Sequence, residues 1–354
     1  MSPVYRFLFL PVSAARGTGE YARALEIASA ALARWPDADI RFMVSREAPY
    51  ARSVPFKTIL LERSSTLQPR EVAETLREFR PQIVVFDNAG RTTQLRVARE
   101  IDARVLYVSS RPRQRGKAFR WRWMRLIDEH WIAYPALLAG SLSRAERFKL
   151  LVMRRPTVRF LDVLLPSVGA TTAAILARYG VASGEFVLVA PGGGAAHRSL
   201  PQAPAVIAAA VRELAARVPA VVWVGEVPST SLPDNVKLAG RVPMAELVAL
   251  AGFAKVVLTN GADTLLQVIA LARPCVAIAL SPDQTARLQR LTDAGVPVDV
   301  ALDSSAIVAA VESLYCDADA AAANVAKLRT LSLRDGLAEA IDAIERLLKK
   351  EAMQ

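Results

Sequence analysis

The chain has 354 residues, a length typical of two domains of ordinary size, and 53% of them are hydrophobic, which is enough for two buried cores. The formal net charge of +11 favours acidic partners such as phosphorylated ligands, anionic lipid or nucleic acid, although a generally arginine-rich composition explains it equally well. The two cysteines, Cys275 and Cys316, lie too far apart in sequence for a disulfide framework or a cysteine metal motif. No apolar run reaches the ~20 residues of a membrane span and the first residues lack a signal-peptide layout, so we expect a cytoplasmic protein.

The first half of the chain alternates apolar strands with helices. We predict strands at about 4–10, 39–44, 82–86, 104–108 and 129–133, and helices at about 19–34, 67–79 and 90–101. Strands that are apolar throughout and alternate with helices indicate a parallel sheet covered on both faces.

The second half restarts this pattern after a region rich in proline, glycine and threonine at about 165–184. We predict strands at about 186–190, 220–224, 236–239, 255–258 and 276–279, and helices at about 201–217, 243–252, 261–272 and 283–293. The fold class is therefore α/β, with two doubly wound, Rossmann-like domains at 1–165 and 166–334. An amphipathic last helix, within 335–354, is expected to pack back on the N-terminal domain or on the second one. Ligands of such domains bind outside the carboxyl ends of the strands, and we expect both domains to offer those ends to one central cleft.

The stretch Thr259 to Gln267 joins a buried strand to a helix through Asn260 and Gly261. The N-terminus of that helix presents unpaired N–H groups and the positive end of the helix dipole, which favour an anion. Gln267 lies about one turn inside the helix, on a face that reaches the same ligand.

A second glycine-rich turn follows the strand at 186–190. Gly192, Gly193 and Gly194 free their N–H groups to hold a phosphate, and Arg198 adds positive charge. The turn fits neither the P-loop nor the dinucleotide-binding glycine pattern. Arg241 follows the strand at 236–239 and is expected at the same sheet edge as Asn260.

Two candidate sites lie in the first half. Gly17 and Gly19 permit a tight turn after the first strand, and Glu20 then opens the first helix, either as a catalytic group or as a complement to the helix dipole. Asp87 and Asn88 directly follow the strand at 82–86, which places them for function, although an Asx turn or a helix cap explains them equally well.

The stretch Arg111 to Arg125 holds seven basic residues and no acidic one, with Phe119, Trp121 and Trp123 interleaved. This combination is typical of a membrane interface and also of single-stranded nucleic-acid binding. The alternative is a solvated loop whose tryptophans pack into the domain; we favour contact with an anionic membrane or a lipid pyrophosphate. The chain has no His/Cys cluster, and its two Asp-x-Asp pairs, at 37–39 and 317–319, lie in linkers, so no metal site is expected.

Four motifs in this order resemble the GT-B glycosyltransferases, in particular the lipid II-forming N-acetylglucosaminyltransferase and the sugar-nucleotide hydrolase of pseudaminic acid synthesis. The four motifs are GTGEYARALEIA at 17–28, PGGG at 191–194, the stretch from Gly240 to Ile278, and SPDQ at 281–284. The resemblance spans nearly the whole chain.

The resemblance implies a role for each matching residue. The donor diphosphate is held by Gly192, Gly193, Gly194, Asn260, Gly261, Ala262 and Thr264; the ribose contacts Gln267, the sugar contacts Gln284, and Arg198 or Arg241 stabilises the leaving group. The acceptor side is formed by Gly17, Gly19, Arg23 and Asn88. Three positions depart from the family: Glu20 replaces a histidine, Gln267 a glutamate and Arg273 a glycine.

The implied activity is metal-independent, inverting transfer of a sugar from a nucleoside-diphosphate-sugar, with a UDP-sugar as first choice. The acceptor is a hydroxyl of a bacterial cell-envelope or other glycan- or lipid-linked molecule, with Glu20 or Asp87 as the base. No cofactor and no nucleic-acid partner are expected, and the segment Arg111–Arg125 places the protein at the inner face of the cytoplasmic membrane. The alternatives are a nucleotide-sugar hydrolase of the same fold and a non-catalytic basic binding protein.

Overall fold

The computed structural model describes residues 4–13, 19–166, 172–192, 200–226 and 231–352. The chain divides into two compact units. Unit 1 consists of residues 1–164 together with 335–354, and unit 2 consists of residues 165–334.

Unit 1 is built on a parallel sheet of seven strands in the order β3-β2-β1-β4-β5-β6-β7. Its strands are β1 (Arg6–Pro11), β2 (Asp39–Ser45), β3 (Lys57–Leu61), β4 (Ile83–Asp87), β5 (Arg104–Ser109), β6 (Glu129–Ile132) and β7 (Thr157–Phe160). Its helices are α1 (Gly19–Arg34), α2 (Pro69–Phe79), α3 (Thr92–Glu100), α4 (Pro112–Ala118), α5 (Trp121–Met124), α6 (Ala136–Ala139) and α7 (Arg144–Met153).

Unit 2 is built on a parallel sheet of six strands in the order β10-β9-β8-β11-β12-β13. Its strands are β8 (Phe186–Ala190), β9 (Ala220–Val224), β10 (Val236–Gly240), β11 (Val256–Asn260), β12 (Cys275–Ile278) and β13 (Asp299–Val300). Its helices are α8 (Thr172–Tyr179), α9 (Ala203–Ala215), α10 (Met244–Phe253), α11 (Asp263–Ala270), α12 (Pro282–Asp293), α13 (Ser304–Cys316) and α14 (Ala318–Thr330), and the chain then returns to unit 1 as α15 (Gly336–Ala352).

The β1 strand shows why unit 1 is covered on both faces. Phe7 and Phe9 belong to the apolar cluster beneath α1 and α15, whereas Leu8 and Leu10 belong to the opposite cluster beneath α2 and α3. Successive side chains of a strand point to opposite faces, so a strand that is apolar at every position requires a layer of helices on each side.

The α15 helix completes the core of unit 1. Ala340, Ala343 and Ile344 are fully buried in the same cluster as the apolar face of α1. The Gly336 amide donates to the carbonyl oxygen of Val163 at 2.8 Å, and a Cβ on Gly336 would lie 3.0 Å from that oxygen. The chain therefore enters α15 at a point where any larger residue would press on the backbone of Val163.

Each sheet has one position at which the strand order reverses. This switch point lies between β1 and β4 in unit 1 and between β8 and β11 in unit 2. In open α/β sheets, ligands bind outside the carboxyl ends of the strands at this position. Within the described ranges, no helix is long and apolar enough to cross a membrane.

Candidate functional site

Glu20 lies at the switch point of unit 1, in the first turn of α1. Its side chain is buried, with 8% of the residue exposed. Its Oε1 atom accepts hydrogen bonds from Asn88 Nδ2 at 3.0 Å and from the Arg111 guanidinium at 3.3 Å. Its Oε2 atom has no hydrogen-bond partner among the described residues. One oxygen of this carboxylate is therefore held by two donors, whereas no described residue holds the other.

Asp87 ends β4 beside Glu20, but its environment differs. Both of its oxygens accept hydrogen bonds from the Arg23 guanidinium, at 2.7 and 2.8 Å. The two side chains are only 2% and 7% exposed, so the pair is a buried bidentate salt bridge. Arg23, expected on the acceptor side, thus neutralises the carboxylate that the sequence offered as a second base.

Asn88 connects three elements at the switch point. Besides its bond to Glu20, its Oδ1 accepts from the Ser110 amide at 3.0 Å and its Nδ2 donates to the Ser110 hydroxyl. Its φ of 51° lies in the left-handed region, which asparagine tolerates better than most residues. Sequence reasoning missed Ser110, although its position two residues after the predicted strand at 104–108 was a usable signal.

Tyr50 adds a polar group that sequence reasoning also missed. Its ring stacks on Tyr21 with the centroids 3.8 Å apart, and its buried hydroxyl has no partner among the described residues. Burial raises the Tyr50 pKa well above its usual value, and the charges of Glu20, Tyr21 and Asp87 raise it further. This hydroxyl therefore stays protonated, as a donor close to both carboxylates.

Asn260 ties the two central strands of unit 2 together at their carboxyl ends. Its Nδ2 donates to the Pro191 carbonyl at 2.8 Å, and its Oδ1 accepts from the Ala262 amide at 3.1 Å. The Gly261 amide donates to the Ile278 carbonyl at 3.2 Å. The amides of Gly261 and Ala262, expected to hold a diphosphate, are thus already engaged within the protein.

Three glycines with left-handed φ values lie at the carboxyl ends of β8, β9 and β10. Gly192, Gly225 and Gly240 have φ values of 90°, 111° and 64°. A Cβ on Gly192 would lie 2.5 Å from Asn260 Nδ2, and the Gly225 amide donates to the Gly240 carbonyl at 2.7 Å. This edge of the sheet carries bare backbone, which lets a ligand approach closely. Gly225 was not predicted, although its place after the apolar run Val221–Val224 resembles that of Gly192.

The remaining donor-side residues surround α11. Thr264 is half-buried in its first turn, and Gln267 is buried one turn later with its Nε2 3.1 Å from Met244 Sδ. Gln284 is buried and its Oε1 accepts from the Leu280 amide at 2.8 Å, whereas Arg241 is exposed and paired with Glu226. The predicted contacts of Gln284 with a sugar and of Gln267 with a ribose stay predictions.

Four predicted residues, Gly17, Gly193, Gly194 and Arg198, lie outside the described residues. In the part of the chain that is described, no group of three or more His, Cys, Asp or Glu side chains has the arrangement of a metal site.

The basic and aromatic stretch forms two short helices, α4 and α5, rather than an open loop. Phe119 and Trp123 are buried, whereas Trp121 is 43% exposed. Two of its aromatic side chains thus pack into unit 1 and one is partly exposed, and contact with a membrane stays a prediction.

Comparison with known proteins identifies the fold. No family model and no curated protein matches the chain. Solved structures match it over nearly their whole length. The spinosyn forosaminyltransferase SpnP has a TM-score of 0.65 and 15% identity, with 98% of this chain and 99% of that one covered. A UDP-glucose:anthocyanidin 3-O-glucosyltransferase in complex with UDP has a TM-score of 0.64 and 12% identity, covering 99% and 100%. The spinosyn rhamnosyltransferase SpnG complexed with thymidine diphosphate has a TM-score of 0.60 and 15% identity, covering 97% and 100%.

These matches confirm the predicted fold class: the chain has the GT-B fold, with two parallel sheets flanked by helices. At 12–15% identity the likeness shows the fold alone. The finer resemblance to the lipid II-forming enzyme and to the pseudaminic hydrolase stays a prediction.

Proposed function

We propose that this protein is a metal-independent, inverting glycosyltransferase that moves a sugar from a nucleoside-diphosphate-sugar to a hydroxyl acceptor. A UDP-sugar is the first choice of donor, and a cell-envelope or other glycan- or lipid-linked molecule is the first choice of acceptor. The observation that carries the proposal is Glu20, a buried carboxylate at the switch point of unit 1 with one oxygen fixed and the other unengaged among the described residues. The names of its structural neighbours support it, since all three are glycosyltransferases and two were solved with UDP or thymidine diphosphate.

In the proposed reaction, the acceptor oxygen attacks the anomeric carbon while Glu20 Oε2 takes its proton. The bond between the anomeric carbon and the diphosphate oxygen breaks, and its electron pair leaves with the nucleoside diphosphate. Asn88 and Arg111 keep Oε1 in place, so that Oε2 points in one direction during the transfer.

Asp87 has a supporting role in this proposal. Both of its oxygens are occupied by Arg23, so taking a proton would require breaking a buried salt bridge. The pair fixes the end of β4 against α1, and it holds Asn88, the next residue, in position to contact Glu20.

Unit 2 supplies the donor site in this proposal. The bare backbone at Gly192 and Gly225 admits the diphosphate, and the first turn of α11 directs its amide groups and helix dipole toward it. Arg241, together with Arg198, supplies the positive charge that stabilises the leaving group without a cation.

Contact with an anionic membrane is part of the same proposal. Besides the exposed Trp121, α7 exposes three apolar side chains at helical spacing: Phe148 (61%), Leu151 (76%) and Val152 (56%). Exposed apolar side chains near Lys and Arg favour the surface of an anionic bilayer.

The test is Glu20→Gln, which keeps the size of the side chain and removes the base. We expect turnover to fall at least ~100-fold, the usual contribution of a general base. Binding of UDP, measured as a thermal shift, should be unchanged, because Glu20 belongs to unit 1 and the donor site to unit 2.

The matched control is Glu26→Gln on the same helix, which changes the same chemical group away from the switch point. Full turnover in the Glu20 variant would refute the proposal. Rapid release of free sugar by the wild-type protein without acceptor would instead assign nucleotide-sugar hydrolysis.

A further inference from the structure

Unit 1 contains a cavity of about 390 Å³ next to the candidate base. This volume falls within the ~300–1,000 Å³ typical of small-molecule sites. The cavity, called here the basic cavity, is lined by Val12, Thr66, Asn88, Gly90, Arg91, Thr92, Arg113, Gln114, Lys117, Arg120, Arg122 and Trp123.

The lining carries five cationic side chains and no acidic one. Arg91, Arg113, Lys117, Arg120 and Arg122 form no salt bridge with any described residue. Two neighbours in the same stretch behave differently, since Arg111 pairs with Glu20 and Arg115 pairs with Glu146. The five cations that line the cavity thus have no acidic partner among the described residues, in contrast to Arg111 and Arg115.

Several contacts fix the wall of the basic cavity. The Arg91 guanidinium donates to the Thr66 carbonyl at 2.8 Å, and the indole N–H of Trp123 donates to the Thr92 hydroxyl at 2.9 Å. Gly90 has a φ of 97°, and a Cβ there would lie 3.2 Å from Leu95 and 3.3 Å from Phe86. The wall of the basic cavity is therefore held in place by packing and by hydrogen bonds.

The positive charges around the cavity repel one another. The pKa of Lys117 is lowered by partial burial and by the neighbouring charges of Arg113, Arg120 and Arg91. A bound anion would relieve this repulsion, and a concave site lined by charge of one sign concentrates the potential that attracts it.

We propose that the basic cavity binds a phosphate or diphosphate group of the acceptor, so that this enzyme glycosylates a phosphorylated molecule rather than a neutral one. The inference rests on the proposed function in one respect, namely that the phosphorylated molecule is the acceptor of the sugar. Asn88 connects the two parts, because it lines the cavity and also donates to Glu20 Oε1. A phosphate held there would bring the rest of its molecule to the candidate base.

The chemistry favours phosphate over other anions of similar size. Arg guanidinium groups bind phosphate oxygens in a bidentate manner, and Lys adds a compact charge. Four arginines and one lysine around one cavity match a group with several oxygens and more than one negative charge.

The test uses inorganic pyrophosphate, with binding measured by isothermal titration calorimetry. The Arg113→Ala/Lys117→Ala double variant should lose at least ~10-fold in affinity, the lower limit for removing a hydrogen bond to a charged group. Any pyrophosphate that binds in unit 2 contributes equally to both proteins, so the difference reports the cavity alone. Arg120 is exposed, so the Arg120→Glu variant reverses one charge without changing buried structure. Its affinity for pyrophosphate should also fall.

The matched control is Arg125→Ala/Arg147→Ala, which removes the same net charge from exposed positions of the same unit that do not line the cavity. Its affinity should equal that of the wild type. Equal affinities in all four proteins, or an equal loss in the control and in the cavity double variant, would overturn the proposal.

Two further arms identify the source of the phosphate. Sedimentation is compared with phosphatidylcholine vesicles that contain phosphatidic acid and with phosphatidylcholine alone. Loss of both pyrophosphate binding and phosphatidic-acid sedimentation in the cavity variant indicates a lipid-borne phosphate. Loss of pyrophosphate binding alone indicates a soluble phosphorylated acceptor. Loss of sedimentation alone would overturn the proposal, because the cavity would then not recognise phosphate itself.

The thermal shift with UDP separates this inference from the proposed function. If UDP stabilises the wild type and the cavity variant equally while pyrophosphate affinity is unchanged between them, the cavity inference fails and the donor site stands. If UDP stabilises neither protein while the cavity variant loses affinity for pyrophosphate, the UDP-sugar donor of the proposed function fails and the anion site stands.

Discussion

Glu20 and Asp87 show how neighbouring groups give two carboxylates different hydrogen-bond partners. The sequence offered both as candidate bases, since each follows a strand of the same sheet. In the structure, Arg23 occupies both oxygens of Asp87, whereas Glu20 keeps one oxygen without a partner among the described residues. The difference arises from one arginine side chain three residues after Glu20, on the same helix, which pairs with the end of β4 rather than with its helical neighbour.

His130 provides a pH prediction at the residue scale. Its ring is fully buried with Nε2 2.8 Å from the Ser109 hydroxyl, and its Nδ1 has no partner among the described residues. Burial and, to a smaller extent, the charge of Arg115 together lower the His130 pKa to about 3. The unfolded chain takes up this proton near pH 6.5, so the folded state loses stability as the pH falls from about 6.5 toward 3.

We therefore expect His130→Gln to change the pH dependence of unfolding. At pH 7 the variant is less stable, because packing around the ring is lost. Below pH 6 the difference from the wild type should narrow by up to about 1.4 kcal/mol per pH unit, the slope that one proton produces. Urea unfolding at pH 4, 5, 6 and 7 measures this difference, and a gap that stays constant would show that His130 is protonated in the folded state.

At the scale of elements, the central strands and the edge strand β10 were predicted within one or two residues, whereas the edge strands β3, β7 and β13 were missed. β1, β4, β5, β8 and β11 are apolar over most of their length because both faces of the sheet are covered. β3 and β7 are short edge strands with partly exposed residues, so they lack that apolar run. Their position is fixed by pairing with β2 and β6, which no local pattern records.

The turn after β8 supports a prediction at this scale. In Gly192→Ala the new Cβ would lie 2.5 Å from Asn260 Nδ2, which is held by the Pro191 carbonyl, and φ is 90°. We expect a loss of at least ~2 kcal/mol in the free energy of unfolding, since left-handed strain costs ~1–2 kcal/mol before any clash. UDP affinity should fall at least ~10-fold, because Asn260 must move from the edge of the donor site.

Gly240→Ala is the control for this prediction. Gly240 also has a left-handed φ, of 64°, but no described atom lies within 4 Å of the position that an alanine Cβ would take, so only the strain remains. This variant should cost ~1 kcal/mol and bind UDP as the wild type does. Equal losses of stability and affinity in the two variants would show that strain, rather than displacement of Asn260, determines both.

At the scale of the whole molecule, the chain closes unit 1 with its last helix. Residues 335–354 belong to unit 1, although the 170 residues before them, 165–334, form unit 2. Ile344 is fully buried and lies in the same cluster as Ile27 and Ala28 of α1. Unit 1 is therefore complete only after unit 2 has been made.

Ile344→Ala tests this dependence. We expect it to lower the free energy of unfolding of unit 1 by about 2–5 kcal/mol, the usual cost of truncating a buried isoleucine to alanine. Tryptophan fluorescence reports mainly unit 1, because Trp223 is the only one of the five tryptophans in unit 2. The UDP-induced thermal shift should persist.

Arg346→Ala, at an exposed position on the same helix, should change the free energy of unfolding by less than ~0.5 kcal/mol. A loss as large in this variant as in the Ile344 variant would show that helix propensity, rather than burial against α1, controls the stability of the segment.

The sequence by itself determined the fold class and the order of the central strands and helices, because hydrophobic periodicity and strand length are local properties of the chain. It also pointed to the candidate edge of each sheet, since polar or glycine residues lie at the ends of the strands at Asp87, Gly192 and Asn260. Only the tertiary structure decided that Arg23 pairs with Asp87, that Asn88 reaches Glu20, and that Arg91 joins four basic residues of a distant stretch around one cavity. These contacts join residues 22 to 68 positions apart, and they depend on side-chain direction and burial, which the folded backbone alone sets.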